Sequence, residues 1–231
     1  MMHIFRISPF NPVRAVTNLL ALTILFAAAA SSASDPGFDH DLLDIQHRWA
    51  AANYETEGKA QKKAFESLLA DARALAASNP DRAEALVWHG IVASTYAGVK
   101  GPFGAMSLAN EARDALTAAE QLDPSVLDGS VYTSLGTLYY KVPGGIIGFG
   151  DKELARNYLK KALQANPEGI DPNYFYGEFL YEQEDFAAAR DALLRAQQAP
   201  ARPDRPLADQ GRRKEIAALL QRVNEKMAKS G

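Results

Sequence analysis

The stretch Tyr132-x-x-Leu135-Gly136-x-x-Tyr139, followed by Ala155-x-x-x-Leu159, Ala162 and Pro167, decides the fold. Its register recurs downstream, where Tyr176-Gly177-x-x-Leu180 precedes Phe186, Ala189-x-x-x-Leu193 and Ala196. It recurs more faintly upstream, where His89-Gly90 precedes Ala112-x-x-x-Leu116, Ala119 and Pro124. Apolar residues at spacings of three and four read as helices. A glycine on one helix and an alanine on the next let two antiparallel helices approach closely, while larger residues fill the gaps between neighbouring pairs. Three copies in one register predict a stack of helix pairs.

This pattern resembles the tetratricopeptide repeat family over residues 83–201, with Tyr132 in place of the usual Trp and Leu159 in place of the usual aromatic. The resemblance implies an all-α fold, a right-handed superhelical solenoid of antiparallel helix pairs, with repeats at 83–124, 129–167 and 170–201. Ala155 to Ala189 spans 34 residues, the family period, but Gly90 to Gly136 spans 46 and Gly136 to Gly177 spans 41. Within a repeat of ordinary length the Gly and Ala lie 12 apart, as Gly177 and Ala189 do; Gly90 to Ala112 takes 22 and Gly136 to Ala155 takes 19. Extra residues are therefore expected in the turns between the two helices of the first and second repeats. Equivalent turns of a solenoid stack along one edge, which makes the insertions neighbours.

The insertions read Ala97-Gly98-Val99-Lys100-Gly101-Pro102-Phe103-Gly104 and Val142-Pro143-Gly144-Gly145-Ile146-Ile147-Gly148-Phe149-Gly150. Connecting segments are usually polar. Loops carrying Phe103, Ile146, Ile147 and Phe149 must fold back onto protein or present those side chains to a partner. The glycines of the second loop lie just before a helix, where backbone amides bind anions, but Asp151 occupies the N-cap and would satisfy those amides itself. No nucleotide site is expected there.

Around the repeats, residues 35–80 form a divergent leading pair, with apolar spacing over His40–Tyr54 and Ala60–Ala77. Ala199 to Arg205 is bordered by prolines 200, 203 and 206 and reads as a stiff connector to a capping helix at 206–229. Residues 201–231 carry eight Lys or Arg against four acids, an excess expected on a solvated outer face.

The whole chain of 231 residues has 25 Lys plus Arg against 28 Asp plus Glu, a formal charge of −3. That removes the basic footprint of a general nucleic-acid binder. The absence of cysteine excludes disulfides, Cys-ligated metal centres and thiol nucleophiles. Arg6 and Arg14, the apolar run Leu19–Ala30 and Ser31-Ser32-Ala33 read as a secretory signal over 1–33, cleaved near Ala33. The apolar run is shorter than the roughly 20 residues a spanning helix needs, so a retained anchor is the lesser alternative. A single exported domain, 34–231, with a net charge of −5, no stable membrane span and a periplasmic location is expected.

Catalytic patterns are missing: no GxSxG, HExxH or Ser-x-x-Lys motif occurs. His40, Asp44 and His47 share a helical face and have the residue types of a metal site, but near a mature N-terminus they read better as a wetted face. Asp171 and Glu178 are potential proton donors with no partner that spacing reveals. Neither catalytic residues, metal nor cofactor are expected.

Recognition remains. In the tetratricopeptide family, positions two, five, nine and twelve of the first helix line the inner surface. The resemblance assigns these to Glu84, Val87, Ile91 and Ser94; Ser130, Thr133, Thr137 and Tyr140; and Asp171, Tyr174, Glu178 and Tyr181. Thr133, Thr137, Tyr140, Tyr174, Glu178 and Tyr181 form the expected partner-binding wall, unless some of the tyrosines contact only the insertion loops. The run from Tyr140 to Lys152 also looks like the glycine-rich insertion of the periplasmic tetratricopeptide component associated with TRAP-type transporters, although no lipid-attachment cysteine is present. The expectation is a non-enzymatic scaffold holding a protein or peptide in its concave groove, linked to a solute transporter or to envelope assembly. The alternative is a carrier of a small apolar solute, its pocket roofed by the two loops.

Overall fold

The structure, a computed structural model, describes residues 35–230; the signal segment at 1–33 lies outside the described residues. The described residues form α1 (Pro36–Tyr54), α2 (Gly58–Ser78), α3 (Ala83–Lys100), α4 (Pro102–Leu122), α5 (Val126–Lys141), α6 (Lys152–Ala165), α7 (Ile170–Glu182), α8 (Phe186–Gln198) and α9 (Pro206–Ser230). Among the described residues there is no strand, only an isolated bridge between Gly144 and Gly150.

Local chemistry sets the helix starts. Asp35 accepts hydrogen bonds from the Gly37 and Phe38 amides at the head of α1, which has Pro36 in its first turn. Asp151 accepts from Leu154 N–H at 2.9 Å and Asp185 from Ala188 N–H at 3.2 Å, capping α6 and α8. Asp151 thus occupies the amides that a phosphate would need.

Each repeat closes on the same contact. A Cβ added at Gly90 would stand 2.5 Å from Leu116 Cγ, at Gly136 2.7 Å from Leu159 Cγ, and at Gly177 2.8 Å from Leu193 Cγ. Only a bare α-carbon admits these buried leucines, so the recurring glycine fixes how closely α3, α5 and α7 approach α4, α6 and α8. Two hydrophobic clusters result, one drawn mainly from α1–α5 and one from α6–α9, and Tyr139 packs against both.

The insertions are accommodated differently from each other. The first extends helices: α3 runs to Lys100, and the break narrows to Gly101 (φ 88°) and non-helical Phe103–Gly104 inside α4. Residues 97–100, expected in the loop, take helical geometry because nothing before Gly101 interrupts the helix. The second is a true loop pinned at its ends, with Gly150 N–H donating to Pro143 C=O at 3.0 Å and Asp151 N–H to Tyr139 C=O at 2.9 Å. The second loop reaches the helix turn that follows the first insertion: a Cβ at Gly148 would lie 2.8 Å from Cε of Met106, two residues past Gly104. At the start of α5, Leu127, Asp128 and Gly129 take positive φ, a short left-handed turn that costs the two non-glycine residues roughly 1–2 kcal/mol each.

The last helix does more than cap the stack. α9 packs on α8 and α7, then meets α1. Tyr54 O–H donates to Glu215 at 3.3 Å, Gly211 lies under the Tyr54 ring, and Leu207 and Ala208 join the cluster of α1–α5. In the connector, Asp204 C=O accepts from His47 Nε2 at 2.6 Å, which places that ring's proton on Nε2. The odd-numbered helices therefore touch in order, α1–α3–α5–α7–α9, and α9 returns to α1, closing the inner layer into a ring.

Candidate functional site

The ring encloses a cavity of about 1010 Å³. α1 contributes Gln46, Trp49 and Asn53; α3 contributes Trp88, Ile91 and Ser94; α5 contributes Ser130, Thr133 and Thr137. α7 contributes Asp171, Tyr174, Phe175 and Glu178, and the connector and α9 contribute Arg202, Arg205, Arg212 and Glu215. Gly98 from the first insertion, Ala105 and Met106 just after it in α4, and Val142 and Pro143 from the second insertion form part of the wall.

Of the six expected partner-binding residues, Thr133, Thr137, Tyr174 and Glu178 come together here. Tyr140 and Tyr181 do not line the cavity. Tyr140 turns between α5 and α7, where its hydroxyl donates to Glu178 at 2.5 Å and its ring meets Phe179 edge-on. Tyr181 packs on Phe186 and lies under the Arg222 guanidinium. Val87 is in the core, and Glu84 pairs with Arg82.

The insertion-loop residues divide as well. Phe149 folds inward, edge-on to Tyr139 at 5.6 Å with the Arg113 guanidinium 4.6 Å above it. Phe103 is 92% exposed, Ile147 75%, and Ile146 fully exposed. The candidate metal face does not converge: Asp44 accepts from Arg48 and His47 is committed to Asp204. Among the described residues no cluster of three or more metal-ligating side chains occurs.

The strongest electrostatic feature lies where α7 meets α9. Asp171 accepts from Arg202 at 2.7 Å and from Arg212 at 2.8 Å; Arg202 also pairs with Asp209 at 2.6 Å and Arg212 with Glu215 at 2.6 Å. Burial pushes the Asp171 carboxyl up, but the Arg212 and Arg202 guanidinium groups outweigh it and hold the group well below the usual carboxylate range. Asp171 is therefore a fixed anion rather than a proton donor. Glu215 is pushed up by burial against the opposing pull of Arg212, and burial pushes the Tyr54 hydroxyl up to about 12.

The basic excess of residues 201–231 is thus not all on a solvated outer face. Arg202 and Arg205 on the connector and Arg212 on α9 line the cavity, and Arg202 and Arg212 are held there by Asp171. Sequence reasoning also missed Trp49 and Trp88 as wall residues. Their rings meet edge-on at 6.0 Å, and Trp49 Nε1–H donates to Thr95 at 3.0 Å. The available signal was a pair of arginines between prolines, which reads as a connector until the ring closes around it.

Residues 147–207 match the tetratricopeptide repeat family model. No curated protein matches the chain. Among solved structures, two of MamA are 19% and 18% identical, each with a TM-score of 0.42, covering 74% and 84% of this chain and 94% of their own. The pilF protein of Pseudomonas aeruginosa is 17% identical, with a TM-score of 0.35, covering 81% of this chain and 93% of its own. Tetratricopeptide folds are in general non-catalytic scaffolds that bind protein partners. Among the described residues no helix is long and apolar enough to cross a membrane. The glycine–leucine contact repeats in three successive helix pairs, so the described residues form a helical solenoid, and within it residues 147–207 match the tetratricopeptide repeat.

Proposed function

We propose that the chain is a non-enzymatic, exported scaffold that works in the periplasm by holding a protein partner, and that the partner docks where the two glycine-rich insertions meet. The observation that carries this reading is the exposure of Phe103, Ile146 and Ile147 on neighbouring turns. Large apolar side chains gathered on a surface mark interaction sites. Phe103 and Ile146 bury little of their own area, so the fold gains almost nothing from them. The resemblance of the second insertion to a TRAP-associated component makes a transporter's solute-binding protein the first partner to test, with envelope assembly the alternative setting.

The test is cross-linking and recovery from periplasmic extract with wild type and with Phe103→Ser combined with Ile146→Asp. The double variant should melt at the wild-type temperature and lose the captured protein. Equal capture by both, with equal melting, overturns loop docking. Amino-terminal sequencing of the recovered chain should begin at Ser34; a chain retaining residues 1–33 overturns cleaved export.

A second reading has its own observation in support. The cavity is closed across the groove by contact of α9 with α1, and its volume suits a small molecule better than a folded domain. The chain then also carries a small solute. Native mass spectrometry of protein purified from periplasm should reveal a bound molecule of a few hundred daltons; a bare polypeptide mass in every preparation counts against the carrier reading.

A further inference from the structure

Among the described residues that line the cavity, Arg205 is the one with a buried side-chain polar atom that has no hydrogen-bond partner. Its Nε is buried without a partner, and it is the only buried side-chain nitrogen or oxygen among the described residues in that condition. Its neighbours are already committed: Arg202 is shared between Asp171 and Asp209, and Arg212 between Asp171 and Glu215. Asp171 and Asp209 attract Arg205 through space, while Arg202 and Arg212 repel it. The guanidinium lies 5.0 Å from the Trp88 ring centroid, on the cavity wall. A buried donor left unsatisfied costs about 1–3 kcal/mol in ordinary protein, more when charged, so native structures rarely retain one without a use.

We propose that the cavity binds a small amphipathic monocarboxylate, with Arg205 holding the carboxylate and Trp88 and Trp49 packing against an apolar body. This rests on the carrier reading above and adds the class of ligand to it. A guanidinium presents parallel donors that match a carboxylate, and no acceptor among the described residues holds any donor of the Arg205 side chain, which lines the cavity. The apolar half follows from the wall: Trp88 lies beside the arginine, Trp49 packs on Trp88, and Ile91, Met106 and Leu138 line the same cavity. A single charge is favoured over two because, among the described residues that line the cavity, Arg205 is the one cation without an ion pair, while Asp128, Glu168, Asp171, Glu178 and Glu215 line it too. A dianion would meet those carboxylates with only one guanidinium free to answer it. Volume agrees, since about 1010 Å³ lies at the upper end for small-molecule sites.

Trp49 and Trp88 are the only two tryptophans of the chain, so intrinsic fluorescence reads the site directly. The mature protein is titrated with decanoate, decanol, decyl phosphate and an apolar tetrapeptide with a free carboxyl terminus, and each is repeated by calorimetry. Decanoate is expected to saturate the fluorescence change and to bind about 10- to 100-fold tighter than decanol, the range of a charge-assisted hydrogen bond. Arg205→Gln should remove that preference and leave decanol binding intact; Arg205→Lys should retain part of it. Retained decanol binding and an unchanged melting temperature show that the variant is folded. Equal binding of decanoate and decanol by wild type, or an undiminished preference in Arg205→Gln, overturns the carboxylate assignment while the carrier reading stands. Tighter binding of decyl phosphate overturns the monoanion, and tighter binding of the tetrapeptide overturns the small molecule in favour of a peptide terminus. Absence of binding by all four probes overturns this assignment and the carrier reading together.

Discussion

Replacing Asp171 by Asn tests whether one carboxylate fastens the last helix to the ring. Asp171 accepts from Arg212 Nε at 2.8 Å and from Arg202 at 2.7 Å, and the Arg212 side chain is only 8% exposed. Removing the anion from a buried ion pair generally costs about 3–5 kcal/mol. Two features reduce that here. The amide oxygen of Asn still accepts from one guanidinium, and Glu215 and Asp209 continue to pair with Arg212 and Arg202 at 2.6 Å each. We therefore expect a loss of about 2–3 kcal/mol. With a urea dependence of about 2 kcal/mol per molar, the unfolding midpoint falls by about 1 M. Hydrogen exchange should show the loss first over residues 206–230, because α9 reaches α7 through this carboxylate. Acid provides the second readout. The folded-state value of Asp171 lies below its unfolded value of 3.8, so its stabilisation is complete above about pH 4 and fades as the pH falls toward the folded value. Asp171→Asn should flatten that part of the acid profile. A midpoint shift below about 0.3 M, or an acid profile identical to wild type, refutes the idea that this carboxylate holds the ring closed.

Three further outcomes follow from individual contacts. Gly136→Ala sets a Cβ 2.7 Å from Leu159 Cγ; overpacking of about 1–3 kcal/mol, less about 1 kcal/mol of gained helix propensity, leaves a net loss of up to about 2 kcal/mol and should lower the melting temperature by up to about 8 °C. Gly150→Ala drives a Cβ into the Val142 carbonyl oxygen in a loop pinned at both ends, so limited proteolysis should cut within residues 142–150 far faster than in wild type. Trp49→Phe removes the donor to Thr95 and part of the contact with Trp88, and denaturation should register a loss of about 1–2 kcal/mol.

Much of the architecture was legible because helix pairing in a repeat is a local problem. Gly136 and Leu159, or Gly177 and Leu193, lie on consecutive helices, and their spacing alone says which surfaces must meet. The N-caps at Asp151 and Asp185 were equally readable, since a cap acts within three residues of itself. The candidate site was legible only in part. Thr133, Thr137, Tyr174 and Glu178 reach the cavity from helix positions that the repeat register assigns, whereas Tyr140 and Tyr181 sit one helical turn further on and rotate into the seams between helices.

By itself, then, the sequence determined that the described chain is helical, that its helices pair in a repeating register, and that two apolar insertions share an edge. Only the tertiary structure decided that α9 returns to α1, that Arg202, Arg205 and Arg212 face inward, and that Trp49 and Trp88 belong to the same wall as Tyr174. The physical reason is the range of the interactions. Helix propensity, capping and the glycine–leucine contact act between residues near in the chain. Closure joins residues more than 150 positions apart, His47 with Asp204 and Tyr54 with Glu215, and depends on curvature summed over every intervening helix pair.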